Sequence, residues 1–519
     1  MKNKEQDFLV FDCETDSFDG FPVAPFVWGW IKSTGERGFT YCEADFIAML
    51  RAFNGIALAH NGGKFDTVLL AQYFEHGEIK LINGRVAEVK IGRATVRDSF
   101  LIIPAPLSAS GKKDDFDYEI LNRNKKHLRV KHKAAIEKYL MQDCAALYEM
   151  VERFYAAHGQ RLTQAGAALV CWEDMGGLVR RWGGAHDVHF RKFYFGGRCE
   201  AFKKGALGSG WEYYDIKSSY PYAMAHDHPA SHLCDYFVHT DIKKITPQSF
   251  ARVVAANYGC LPARGKYATE YPHHDDGREY FASGWEIIAG LETGTLKIFS
   301  ATIYRPAAVE TLRPYVDKFY ADKLSAEKSG DKIGRLIAKI FLNSLYGKYG
   351  SAADDYKKYL IVEAGEQREG YTLHAEIGAL DIIQTPDKGQ FYDVALAASV
   401  TGFARAKLFR QILKARDVAY SDTDSIICRG GEFDVGENLG QWEKVCTLSD
   451  FYVAGKKLYT GTDDNGEAVS AHKGFSALDT CPADIIKAAM GCEFKINRSA
   501  PSINATGAQQ FINRTMRKT

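Results

Sequence analysis

Two short runs place carboxylates where they could hold metal. Tyr214-Asp215-Ile216-Lys217-Ser218-Ser219-Tyr220-Pro221 and Tyr420-Ser421-Asp422-Thr423-Asp424-Ser425 each carry acids at the end of an aromatic or β-branched strand pattern. Between them, Lys339, Asn343 and Tyr346 recur at i, i+4 and i+7 and therefore share one helix face. Acids, a cationic helix face and acids again suggest nucleotidyl transfer. That reaction needs carboxylates from different elements to hold two divalent ions about 3.5 to 4 Å apart, one activating a 3′-hydroxyl and one neutralising a triphosphate. Asp215 and Asp424 are the expected shared ligands, with Asp422 on the same hairpin turn and the backbone carbonyl of Ile216 facing the nucleotide-side ion. An isolated Asp-Thr-Asp usually marks a turn; here the order of the three motifs argues for chemistry.

Lys339 and Asn343 could meet the phosphates and the sugar or base of an incoming nucleotide, and Tyr346 would stack near the nascent pair. In isolation such a stripe is more often a solvated helix face. Tyr220 could pack under the sugar and exclude a 2′-hydroxyl, which would select deoxynucleotides; core packing before Pro221 is the compatible alternative. Lys457-Leu458-Tyr459 presents a cation and an aromatic on one side of a strand, a pair that can hold a primer backbone. A second constellation lies near the N-terminus. Asp12 and Glu14 flank Cys13 and project to one side of a strand, Asp66 adds a third acid, and Tyr139 and Asp143 share a helix face. Four acids and a tyrosine can run two-metal hydrolysis; each acid alone is more often an N-cap or surface residue, and the ordered set reverses those odds.

The elements that must position these groups follow from length and patterning. A chain of 519 residues exceeds one ordinary core, so two or three domains are expected. Residues 8 to 165 alternate apolar runs with helices, beginning with Phe8-Leu-Val-Phe11, and read as an α/β domain. A helical stretch from about 134 leads to Phe193-Tyr194-Phe195-Gly196-Gly197-Arg198, with the domain boundary near 188. The helix holding Lys339 is expected from Asp331 to Gly347, with Ile333, Ile337, Ile340 and Phe341 facing the core and Lys332 and Arg335 on the polar stripe. Residues 227–312 separate the first acidic run from this helix and read as an insertion. The basic stretch 112–133 is either a solvated loop or a DNA contact. The basic end, from Lys487, is either a DNA-grasping appendage or a frayed tail.

Composition narrows the class. With 66 basic and 65 acidic residues the net charge is +1, so any basic nucleic-acid surface must be local. The 11 cysteines show no Cys-x-x-Cys pair and no zinc spacing, which suits a reducing cytoplasm. No signal segment and no apolar run of membrane-spanning length is evident, so a soluble cytoplasmic protein with no membrane partner is expected.

In motif order the chain resembles the family B DNA polymerases, specifically the protein-primed branch, and within it the polymerases of tectivirus-type phages. Asp215 to Pro221, Lys339 to Gly347 and Tyr420 to Ser425 are similar to the three polymerase motifs, and Lys457 with Tyr459 to the primer-terminus motif. The resemblance implies an RNase H-like 3′-5′ exonuclease domain over 1–188, followed by a right-hand polymerase over 189–519. It places the palm at about 195–226, 313–322 and 391–460, the fingers at 323–350 and the thumb at 461–519. The segments 227–312 and 357–390 stand where the branch carries a priming-protein subdomain and a subdomain for processivity and strand displacement.

By the same resemblance, Asp12, Glu14, Asp66 and Asp143 are exonuclease metal ligands, Tyr139 orients the attacking water, and Asn61 and Phe65 hold the frayed 3′ end. Thr15, His60, Asp98-Ser99-Phe100 and Lys113-x-x-Phe116 are also similar to that branch, which more often has Leu at the place of Phe100. Tyr194-x-Gly196-Gly197 resembles its DNA-coordinating linker. Lys323, Lys328 and Arg335 resemble the basic residues before its second motif. The implied cofactor is Mg2+, two ions per site, with Mn2+ also suited to oxygen ligands. The implied partners are template and primer DNA, deoxynucleoside triphosphates and a terminal protein. The alternatives are a related core that extends ordinary primers or starts without one, and a silent DNA-binding scaffold, against which the intact acids argue because they repel phosphate.

Overall fold

The computed structural model describes residues 6–16, 23–111, 116–121, 126–179, 185–233, 235–352, 356–387, 393–472, 481–492, 494–498 and 512–516. The first apolar run forms the strand Phe8–Thr15, whose Leu9, Val10 and Phe11 are wholly buried, as expected of a strand covered on both faces. It pairs in parallel with Ile56–Ala59, which is itself parallel to Ala94–Asp98, and antiparallel with Pro25–Lys32. The helix Lys133–His158 covers one face through Leu147, Met150, Val151 and Phe154.

This sheet has ten strands, and three of them come from far downstream. Lys357–Glu363 pairs antiparallel with Gly77–Ile82, setting Tyr359 opposite Ile79, and Leu380–Pro386 and Thr372–Ile377 extend the edge. Ile361, Ile377 and Ile382 join the cluster built by Leu9, Phe11 and Trp28. The segment read as a second insertion is thus part of the N-terminal sheet.

An eight-stranded sheet carries the second set of acids. Its order is Ala468–His472, Leu458–Thr462, Trp442–Gly455, Trp211–Ile216, Ser425–Cys428, Tyr420–Asp422, Cys199–Ala201, with Gly205–Gly208 pairing Trp442–Gly455. Strand alternation turns Tyr214 and Ile216 toward Leu408 on the helix Val394–Lys414, so Asp215 projects from the opposite face. Residues 236–306 fold as a separate four-stranded antiparallel sheet with the helix Gly284–Glu292, whose start is closed by a Ser283–Glu286 capping box. Ala406 and Phe409 seat this unit on the Val394–Lys414 helix.

Arg313–Ser329 and Lys332–Tyr349 form a helix pair. Asp331 caps the second helix by accepting from the Gly334 amide at 3.0 Å. The stop expected at Gly347 is a correction: the helix continues to Tyr349, because burial of Leu345 and Tyr349 outweighs the roughly 1 kcal/mol cost of a helical glycine. The boundary near 188 divides the chain but not its core. Ala167, Ala168, Leu169 and Trp172 share one cluster with Tyr315, Phe341 and Leu345. Among the described residues no helix is long and apolar enough to cross a membrane, and no cysteine is paired.

Candidate active sites

The downstream acids meet on a two-residue hairpin turn. Tyr420–Asp422 and Ser425–Cys428 pair around Thr423 and Asp424, with Thr423 in the left-handed region at φ +58°. Asp215 lies opposite Ser425 on the neighbouring strand, and the Ile216 amide donates to the Asp424 carbonyl at 2.8 Å, which fixes the two acids side by side. Burial first, then the charges of Asp424 and Glu443, push the Asp215 carboxyl up to about 7, while Lys339 pulls it back. Burial and the neighbouring Asp422 raise Asp424 to about 6, with Lys457 opposing. Oxygen donors that repel one another in a half-buried setting fit a hard divalent cation, which would relieve that repulsion.

Around these acids the expected helix face is in place. Lys339 and Asn343 are exposed and Tyr346 is half-buried; the Tyr346 ring stacks on Tyr220 with centroids 4.4 Å apart. The Asn343 amide turns back to the Lys339 carbonyl at 2.9 Å. Arg335 and Lys323 converge on Glu327, at 2.8 and 3.8 Å, while Lys328 is exposed in the last turn of its helix. Lys457 departs from the expected strand position. It sits in the tight turn joining Trp442–Gly455 to Leu458–Thr462 with φ +56°, because a two-residue hairpin demands a left-handed residue. Its Nζ still reaches Asp422 Oδ2 at 3.0 Å. Tyr459 is buried beside Tyr420, centroids 4.8 Å apart. Tyr194, Gly196 and Gly197 line a loop behind the acidic turn, where a Cβ on Gly197 would come within 2.5 Å of Thr423 Oγ1.

The upstream acids form a second site. Asp12, Glu14 and Asp143 bring ligand oxygens within 4.8 Å of one another. Gly29 makes this possible: it lies opposite Asp12 in the sheet, and a Cβ there would stand 2.8 Å from Leu140, so only glycine lets the helix bring Asp143 down to the strand. Asp66 is the exception to the four-acid expectation. It stands beside the trio, where its Oδ1 accepts from the Cys13 thiol at 3.2 Å and its charge is the largest acting on Asp12. Burial, followed by the charges of Asp66, Glu14 and Asp143, holds the Asp12 carboxyl well above the usual carboxylate range, and burial raises Asp66 to about 6. This acidic cluster also suits a divalent cation.

Tyr139 lies one turn before Asp143; its hydroxyl meets that of Tyr118 at 2.7 Å and its ring stacks on Phe116 at 4.3 Å. His60 Nδ1 is 3.0 Å from Ser99 Oγ, and Thr15 is buried at the strand end. Asn61 takes a left-handed conformation, φ +57°, at the turn leading to half-buried Phe65. Lys113 lies outside the described residues. Three further groups escaped sequence reasoning. Cys13 was hidden by its own neighbours, Glu443 reaches Asp215 only through sheet register, and Arg405 is one of four basic residues on its helix, with nothing in the sequence to mark it as the buried one.

A family model described as DNA polymerase type B, organellar and viral, matches residues 109–385. The chain is 34% identical over its whole length to the DNA-directed DNA polymerase of Enterobacteria phage PRD1, 99% of which is covered. A probable DNA polymerase of Agaricus bitorquis is 24% identical over 60% of this chain and 45% of that protein. Among solved structures, Phi29 DNA polymerase complexed with primer-template DNA and incoming nucleotide substrates matches with a TM-score of 0.75 at 15% identity, all of both chains being covered. That likeness is one of fold, an RNase H-like domain followed by a right-hand polymerase domain. The conjunction of the acidic turn, the Lys339 helix and a full-length relative therefore settles the family: the chain belongs to the type B DNA polymerases of viruses and organelles and is a DNA-directed DNA polymerase.

Proposed function

We propose that this polymerase replicates a linear genome in the cytoplasm of a host, starts on a hydroxyl of a terminal protein, and removes mispaired 3′ ends in a separate exonuclease site. The observation that carries the reading is the presence of two acid clusters on two different sheets, one beside a cationic helix and one beside a tyrosine pair. At the first, Asp215 and Asp424 with the Ile216 carbonyl hold the metal site, and Asp422 is tethered by Lys457. Two Mg2+ or Mn2+ ions bound there would ease deprotonation of the attacking hydroxyl and neutralise the triphosphate. Lys339, Lys328 and Arg335 attract the phosphates, and Tyr220 stacked on Tyr346 gives the sugar a floor that leaves no room for a 2′-hydroxyl. Lys457 and Tyr459 hold the primer end. At the second site Asp12, Glu14, Asp143 and Asp66 bind metal, and Tyr139, steadied by Tyr118, orients water. Asn61, Phe65, Thr15, His60 and Ser99 receive the unpaired strand.

Support for protein priming comes from the two segments that a bare catalytic core does not require, the 227–312 unit on the palm and the 357–390 strands, which also suit enclosure of DNA during strand displacement. Incubation with labelled deoxynucleotides and the proteins encoded by neighbouring reading frames is expected to yield a covalent protein–nucleotide product. Extension of primed DNA without any such product would refute protein priming. Asp424→Ala should abolish incorporation and spare degradation of single-stranded DNA, and Asp12→Ala with Asp66→Ala should do the reverse; retained activity in either case would sink the corresponding site.

A further inference from the structure

The loop behind the acidic turn is held from outside the palm. Its underside touches the catalytic turn directly: the Thr423 amide donates to the Arg198 carbonyl at 2.6 Å, and Gly197 packs against the Thr423 side chain. Its upper side offers a row of backbone carbonyls to two guanidinium groups. Arg264 donates through Nη1 to Lys192 at 2.8 Å and through Nη2 to Arg191 at 2.8 Å and Tyr194 at 3.2 Å, with its guanidinium 4.3 Å from the Phe195 ring centroid. Arg405 donates through Nη1 to Phe195 at 2.5 Å and Gly196 at 2.9 Å. Of the six successive carbonyls from 191 to 196, only that of Phe193 lies outside these two grips.

Neither arginine is placed as a surface ion pair. Arg264 has no carboxylate partner among the described residues, so its donors are committed to the loop. Arg405 is bound by Glu286 through two parallel hydrogen bonds of 2.7 and 3.0 Å, and both side chains are only 1% exposed. Glu286 in turn accepts from the Ser283 amide at 3.1 Å and hydroxyl at 2.8 Å, which locks it to the start of the Gly284–Glu292 helix. From the loop itself, Arg198 reaches back to the Gly259 carbonyl at 2.8 Å and lies 4.0 Å over Tyr271. Gly259, Arg264, Tyr271 and Glu286 all belong to the 227–312 unit. Glu286 occupies Nε and Nη2 of Arg405 and leaves Nη1 to the loop, and such charge-assisted bonds fix the carbonyl directions, so the 227–312 unit constrains the path of the loop.

We propose that Arg264 and the Glu286–Arg405 pair are positioning residues for synthesis. Through the 191–197 loop they let the 227–312 unit set the placement of the Asp422–Asp424 turn, so that whatever engages that unit is felt at the synthesis site and not at the Asp12 site. The inference rests on the reading of Asp215 and Asp424 as the synthesis site.

Arg264 is exposed enough for Arg264→Ala to keep the fold, and Arg264→Lys keeps the charge without the fork. In the full chain, Arg264→Ala is expected to speed amide hydrogen exchange over 194–198 and at Thr423 about tenfold. It should also slow single-turnover incorporation about tenfold at saturating deoxynucleotide, with the nucleotide KM, single-stranded DNA degradation and melting temperature unchanged. Arg264→Lys should fall between. Glu286→Gln, which keeps one acceptor but leaves the buried Arg405 charge without a counter-ion, should show the same split of incorporation from degradation together with a lower melting temperature. Unaltered exchange and incorporation in Arg264→Ala, or an equal loss of degradation, would overturn the proposal. A wild-type chain that fails to incorporate nucleotides would refute the synthesis reading instead, and the exchange at Thr423 would still decide the positioning.

Discussion

His228 is wholly buried where the chain leaves the Ser219–Met224 helix for the 227–312 unit. Its Nε2 is 2.8 Å from the Ala223 carbonyl and its Nδ1 is 2.9 Å from Ser399 Oγ, which in turn accepts from Trp285 Nε1 at 3.2 Å. The neutral ring protonated at Nε2 satisfies every partner: Nε2–H donates to Ala223, and the Ser399 hydroxyl donates to Nδ1. A second ring proton would force the Ser399 hydroxyl to turn from donor to acceptor and would place a charge in a wholly buried site. Burial, aided by nearby His226 and opposed by the Ala223 carbonyl, accordingly lowers the His228 pKa from 6.5 to about 4.

The sign of the stability effect follows. The unfolded chain takes up this proton at higher pH than the folded chain, so the stabilisation is complete above 6.5 and is lost as pH falls toward 4. The loss comes to about 2 kcal/mol at pH 5 and about 3 kcal/mol at pH 4. Urea unfolding followed by tryptophan fluorescence at pH 7.5 and pH 5, in the wild type and His228→Gln, isolates it. The variant should begin less stable at pH 7.5, by about 1 to 3 kcal/mol, and then lose about 2 kcal/mol less than the wild type on acidification. His158, which burial and Lys318 lower to about 4, is present in both chains and cancels in the comparison. Parallel pH dependence in the two proteins would refute the reasoning.

Two further outcomes are expected. Tyr220→Ala removes the ring stacked on Tyr346 and should raise ribonucleotide use relative to deoxynucleotide by at least about tenfold in kcat/KM; an unchanged ratio would exclude Tyr220 as the sugar gate. Ile361→Ala opens a cavity where the downstream strands join the N-terminal sheet and should cost about 2 to 5 kcal/mol locally, read as faster amide exchange over Lys357–Glu363. Displacement synthesis through duplex DNA should fall while extension on a single-stranded template persists, and equal loss of both would separate this seam from strand displacement.

The acids were legible because local rules place them: strand alternation puts Asp12 with Glu14, a hairpin turn gathers Asp422 and Asp424, and helix periodicity lines up Lys339, Asn343 and Tyr346. Such rules name a face but not a rotamer, so the return of Asn343 to its own helix was hidden. They also miss contacts across the sheet, such as the Cys13 thiol donating to Asp66. The turn at Lys457 is hard to read because Gly455 to Thr460 contains no Asn-Gly or Asp-Gly signal. The pairing of Lys357–Glu363 with Gly77–Ile82 joins edges remote in sequence, and no periodicity within either strand specifies its partner.

One helix ties the two sites together. Lys133–His158 carries Tyr139 and Asp143 near its start, and at its end Arg153 donates to Asp331, the cap of the helix that presents Lys339, with Nη1 at 2.7 Å from Oδ1. That ion pair is about a third exposed on both sides and contributes roughly 0 to 1 kcal/mol at most. The apolar contact beside it is the stronger bond. His158 stacks on Phe341 at 3.9 Å, and Phe154 and Phe319 pack on the same ring at 6.0 and 4.8 Å, the three phenylalanines lying within the cluster that runs on to Leu396 and Val400 of the Val394–Lys414 helix. Separating the two halves would expose this cluster, at about 25 cal/mol for each Å2 of apolar surface. That shared burial holds the halves together, so on the proposed reading the primer end, and not either acid cluster, is what travels between the Asp215 and Asp12 sites.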